Sequence, residues 1–71
     1  MKEWKVFETD FGKIEIAHCM IDNGYDLYEG IELYEEDKSY HKCSNEGDNY
    51  INLDSITIEE LNYWLSQNVF F

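Results

Sequence analysis

Two histidines and two cysteines, His18, Cys19, His41 and Cys43, are the side chains best equipped for chemistry, because together they form the ligand inventory of a structural zinc site. Their spacing argues against that use. Adjacent residues on a strand point to opposite faces, so His18 and Cys19 do not serve one ion, and neither pair has the gap of about two to four residues usual between zinc cysteines. No metal is expected, and nothing asks for another cofactor. A Cys19 to Cys43 disulfide would need an oxidising compartment, and with only two cysteines free thiols in a reducing cytoplasm are the expectation.

His18 also invites pairing with an acid, and the hairpin register derived below sets it opposite Glu29. A hydrogen-bonded polar pair at the core edge is the simpler role, since a catalytic dyad needs a nucleophile or a cleft beside it. Two acidic turns, Asp22-Asn23-Gly24-Tyr25-Asp26 and Asn45-Glu46-Gly47-Asp48-Asn49, resemble calcium loops only superficially, because neither has the ligand spacing or closing glutamate of an EF-hand. There is no phosphate-binding glycine loop, nucleophile elbow or HExxH motif. The expectation is a protein that is not an enzyme.

The elements that must position these residues are strands first, then one helix. Proline is absent and no segment repeats, so residues 1–71 read as a single domain, which at this length buries only about 60% of its unfolded surface. Residues 3–9 alternate as a strand, Asp10-Phe11-Gly12 offers a loop with glycine in the left-handed position, and residues 13–21 form a second strand. Asn23-Gly24 then predicts a two-residue type I′ turn into a third strand over 27–36. That turn pairs Met20 with Leu27, Ile16 with Ile31 and Ile14 with Leu33, which puts every strong apolar residue except Ile21 on one face.

Weaker strand patterns at 38–44 and 50–53, separated by turn residues, suggest a second hairpin. Thr57 with Glu60 fits a capping box, and Ile58, Leu61, Leu65 and Asn68 or Val69 follow at helical spacing, with Trp64 beside them. The fold expected is α+β: a small antiparallel meander of three to five strands with one C-terminal helix packed on one face.

Sixteen acids against five lysines and no arginine give a formal net charge of −11. Such a field repels nucleic acid and anionic membranes and attracts basic surfaces, and without arginine the chain lacks the residue best suited to grip phosphate. No apolar stretch approaches the length of a membrane span, and a cytoplasmic location is expected. In the expected register Glu15 lies across from Glu32, a like-charge pair that costs stability, and Glu36 continues the row two positions beyond Tyr34, roughly 6.7 Å along the strand.

The expected partner-binding face is therefore the one turned away from the helix, with Glu15, Glu32, Glu36 and Asp26 set among Tyr28, Tyr34 and Phe7. Its partner would be a protein with a basic, nucleic-acid-binding surface, occupied by mimicry as inhibitors of the anti-CRISPR or anti-restriction type made by phages and mobile elements do. The alternative is a structural or regulatory subunit, acidic only for solubility, that docks through an apolar patch at Phe70, Phe71 and the 38–53 edge. The same tail could anchor a second copy of the chain.

Overall fold

The computed structural model describes residues 2–71. Strands β1 (Lys5–Thr9), β2 (Gly12–Asp22), β3 (Leu27–Glu35) and β4 (Tyr40–Ser44) form one antiparallel sheet in the order β1-β2-β3-β4. A 3-10 turn (Gly47–Asn49) then leads to helix α1 (Ile58–Asn68). The architecture is the α+β meander with a C-terminal helix that the hydrophobic pattern predicts.

Each connection has a local cause. Asp10 and Phe11 alone link β1 to β2, because Gly12, at φ 99°, already pairs with Thr9. The Thr9 hydroxyl accepts from the Phe11 N–H and donates to the Gly12 carbonyl, while Asn62 on α1 accepts from the Asp10 N–H at 2.9 Å and ties this turn to the helix. The turn into β4 places Lys38 at φ 74° and closes with the Glu35 N–H donated to the Ser39 carbonyl.

The β2–β3 register differs from the expected one by two residues. Asp22 pairs with Leu27, Ile16 with Leu33 and His18 with Ile31, so the loop has four residues, 23–26. Side chains build it: Asp22 Oδ1 accepts from the Gly24 N–H, and Asn23 Oδ1 accepts from the N–H groups of Tyr25 and Asp26. Asn23 thus caps a wider loop instead of taking the left-handed position of a two-residue turn. A shift of two leaves every side chain on its expected face. It does remove the pairing of Glu15 with Glu32, since Glu15 faces Tyr34 and Glu32 faces Ala17, and it removes that of His18 with Glu29, which faces Met20.

Residues 50–53 form no strand. Their backbone is held by side chains: buried Asn45 donates to the Ile51 carbonyl at 2.9 Å and accepts from the Ile51 N–H at 2.8 Å, and His18 Nε2 accepts from the Leu53 N–H at 3.1 Å. Asn45 is fully enclosed and its own N–H donates to the Glu29 carbonyl, so this one residue joins β3 to the connection.

Thr57 and Glu60 make the expected capping box at the start of α1. The helix lays Leu61, Trp64 and Leu65 on Ile14, Ile16, Ile31 and Leu33, with Leu53 completing a core of eight buried side chains. Ile58, at helical spacing but 43% exposed, lies outside it.

Candidate functional site

On the sheet face turned away from α1, alternation sets Glu15, Ala17, Cys19 and Ile21 of β2 beside Tyr34, Glu32, Gly30 and Tyr28 of β3, with Tyr40, Lys42 and Ser44 of β4 beyond. The expected acidic residues do not form one surface there. Glu32 is only 6% exposed: the Lys2 ammonium and the Tyr40 hydroxyl, at 2.9 Å, both donate to its carboxylate. Burial alone would raise the Glu32 pKa, but these two donors outweigh it and hold the carboxyl below the usual glutamate range. The Tyr40 hydroxyl, desolvated beside that carboxylate, is pushed up to about 12.

Above this pair runs an aromatic row. Trp4 packs on Tyr34 with ring centroids 5.6 Å apart, Tyr34 packs on Tyr40 at 4.9 Å, and Lys2 lies 5.8 Å from the Trp4 ring. The segment before β1 therefore straps the open face, and Glu32 serves its attachment. Phe7 is not on this face, because it pairs with Ile14 and packs against the core.

The remaining expected contact residues fall into two groups. Glu15, Tyr34 and Glu36 line one shallow cleft together with Lys13 and Lys38, so cations of the chain itself sit among these acids. Tyr28, opposite Ile21, and Asp26, in the loop, lie at the other end of the β2–β3 hairpin. Of the tail, Phe70 stacks on Phe11 at 4.8 Å and meets the His41 ring edge-on, sealing the core, while Phe71 is 94% exposed.

The histidines and cysteines are dispersed. His41 Nε2 lies 2.6 Å from Glu35 Oε2, His18 holds Leu53, Cys43 packs against the core, and Cys19 faces the opposite side of the sheet. Cys19 and Cys43 are free, and with β3 between them their strands stand roughly 9.6 Å apart, beyond the reach of a disulfide. Burial pushes both thiols up, and for Cys19 the Glu32 carboxylate adds to the effect.

Charge is distributed unevenly. Of the sixteen carboxylates, Glu32, Glu35, Glu3 and Asp54 have cationic or histidine partners, the last two through Lys5, which leaves twelve without one among the described residues. Lys2, Lys13 and Lys42 belong to the open face, where they stand among Glu8, Glu15 and Glu32. Residues 43–71 contain five acids and no lysine. The hydrogen bond from Asn45 to Glu29 brings Glu46 up to the uncovered end of β3, so acids continue from Asp26 and Glu29 through Glu46 and Asp48 to Glu59.

A concavity of about 470 Å³ opens on that side, between the 3-10 turn and α1. Trp64 forms its floor, 4% exposed, with the indole N–H donated to the Asn49 carbonyl at 2.8 Å. Tyr50 and Tyr63, 48% and 70% exposed, flank it, and Asp48, Glu59 and Glu60 stand on its rim. The sequence places Asp48 in a turn and Glu60 and Trp64 on the helix without joining them into a site, and it gives no sign of the strap of Lys2 and Trp4. The signal for the site was present in the spacing of Glu59 and Tyr63, four apart and so on one exposed helix face.

Comparison of the chain with protein-family models, with curated proteins and with solved structures finds no match.

Proposed function

We propose that this protein acts by binding, not by catalysis, as an acidic inhibitor or decoy that occupies the basic, nucleic-acid-binding surface of another protein. The observation that carries the reading is the charge balance: twelve carboxylates with no cationic or histidine partner among the described residues, and a segment from residue 43 onward that holds five acids and no lysine. A chain that needed acidity only to stay dispersed would gain as much from acids mixed with lysines over every face. Left largely uncompensated along the 43–71 segment, this charge orients the approach of a cationic partner, raises the association rate and makes the complex sensitive to salt. With Glu32 engaged by Lys2, the surface proposed is the helix side and the adjoining hairpin end, which includes Asp26.

The test is capture of proteins from a lysate on the immobilised chain, with release by salt steps in one arm and by competing duplex DNA in the other. The expected catch is a nucleic-acid-binding protein that leaves at moderate salt and is displaced by DNA. A partner that resists high salt and ignores DNA sinks the proposal. That outcome would favour docking through apolar contacts, for which Met20 and Leu27, 55% and 66% exposed beyond the reach of α1, offer a better patch than the half-buried Phe70.

A further inference from the structure

Resting on the reading of the chain as a binder of basic surfaces, we infer that the groove between the 3-10 turn and α1 is the anchor of that contact and receives an arginine side chain from an exposed cationic segment of the partner protein. The groove combines the two features a guanidinium seeks. Tyr50 and Tyr63 line it with exposed rings that stack on no other ring among the described residues, and a guanidinium over such a ring face gains from the ring's charge distribution as well as from flat contact. Asp48 and Glu59 on the rim can accept its forked N–H donors, whereas Glu60 is already committed to the capping box.

Charge complementarity decides between this groove and the cleft of Glu15, Tyr34 and Glu36. In that cleft Lys13 and Lys38 already stand among the acids, so an incoming cation meets two like charges. No lysine lines the groove, and none occurs in the sequence from residue 43 onward. With its N–H already used on Asn49, the Trp64 indole offers only hydrocarbon surface and no donor to repel a cation. The walls are also fixed in advance: Tyr63 and Trp64 stand on α1, and the two Asn45 hydrogen bonds hold Ile51 beside Tyr50, so little ordering remains to be done on binding. At about 470 Å³ the groove falls among the sizes that hold small ligands and single anchoring side chains.

The test is a titration of the isotope-labelled chain with a neutral-flanked peptide carrying two arginines, and with its lysine counterpart, at low salt and followed by amide and indole N–H resonances. Saturable shifts are expected at the Trp64 indole and at the amides of Asp48 and Tyr63, with the lysine peptide several-fold weaker. Tyr63→Ala, which removes an exposed ring and should leave the melting temperature close to that of the parent, is expected to weaken binding about fivefold. Glu15→Gln with Glu36→Gln is expected to change it little. Shifts centred on the Glu15 cleft, shifts spread evenly over all acidic surfaces, or an unaffected Tyr63→Ala variant each remove the groove as the anchor. Those outcomes leave charge-driven binding standing, because that reading falls only in the lysate capture, where partner release is scored by salt and DNA.

Discussion

Replacing Asn45 by alanine removes the side chain that does most to hold the connection between the sheet and α1. Both ends of the Asn45 amide are used, at 2.9 and 2.8 Å, and the residue is fully buried. A hydrogen bond contributes about 1 kcal/mol net, and a buried group left without its partner costs about 1–3 kcal/mol. Because Ile51 is only half-buried, water can take over part of the lost pairing, and the net cost of Asn45→Ala comes to about 2–3 kcal/mol. Against a total stability of roughly 4–10 kcal/mol for a chain of this length, that is a large share, and it lowers the melting temperature by about 10–20 °C. Asn52→Ala, which removes only an exposed turn bond to the Asp54 N–H, serves as the control and should cost less than about 1 kcal/mol. Asn45→Asp sharpens the test. A carboxylate still accepts from the Ile51 N–H but faces the Ile51 carbonyl without a donor, so the buried acid is held protonated and its pKa rises. Stability from a raised group is present at low pH and lost as pH climbs, so the deficit of this variant should shrink on acidification. Thermal melts followed by circular dichroism at two pH values decide the matter. An Asn45→Ala protein that melts within about 3 °C of the parent would refute the assignment of Asn45 as the clip.

A methyl group on Gly30 would overlap the Ile21 side chain, 2.7 Å from Cγ1, and would stand 3.0 Å from the Cys43 carbonyl, so Gly30→Ala should cost about 1–3 kcal/mol in denaturant melts. Glu32→Gln should cost about 1 kcal/mol at neutral pH, because it breaks the ion pair with the part-exposed Lys2. Since the native Glu32 pKa is lowered, its contribution is present above the ordinary glutamate value and lost as pH falls through the native one, so parent and variant should converge in melts taken below that native value. At the alkaline end, Tyr40 ionises only near 12, so the native state loses stability as pH rises from 10 towards that value, and Tyr40→Phe should delete the last step of tyrosinate absorbance.

The first four strands, the helix and the faces of β2 and β3 were legible in the sequence, and the register was not. Apolar agreement between β2 and β3 tests only whether a shift is odd, because a shift of two returns every side chain to the same face. Ile14, Ile16, Ile31 and Leu33 thus satisfy both pairings, and the choice lay in the side-chain bonds of Asp22 and Asn23, which an Asn-Gly dipeptide does not reveal. The residues at 50–53 alternate like a strand but bond to Asn45 and His18, a long-range exchange invisible to local pattern. Glu32 shows the same limit at the candidate site. An acid at an outward strand position reads as solvated, and only the return of Lys2 over the sheet buries it. The capping box and the helix it begins were readable because both their partners lie within one turn.

A sheet ordered β1-β2-β3-β4 has edge strands at its two margins, β1 and β4, and an edge strand left uncovered can template another strand. Molecules carrying a charge of −11 keep those margins apart by mutual repulsion at neutral pH. As pH approaches 4.2 that repulsion vanishes while the strands persist, so turbidity should rise there, and filaments grown by lateral strand addition should dissolve again when the carboxylates recharge. The colloidal behaviour of the protein is thus expected to follow proton concentration, acting on the spacing between molecules.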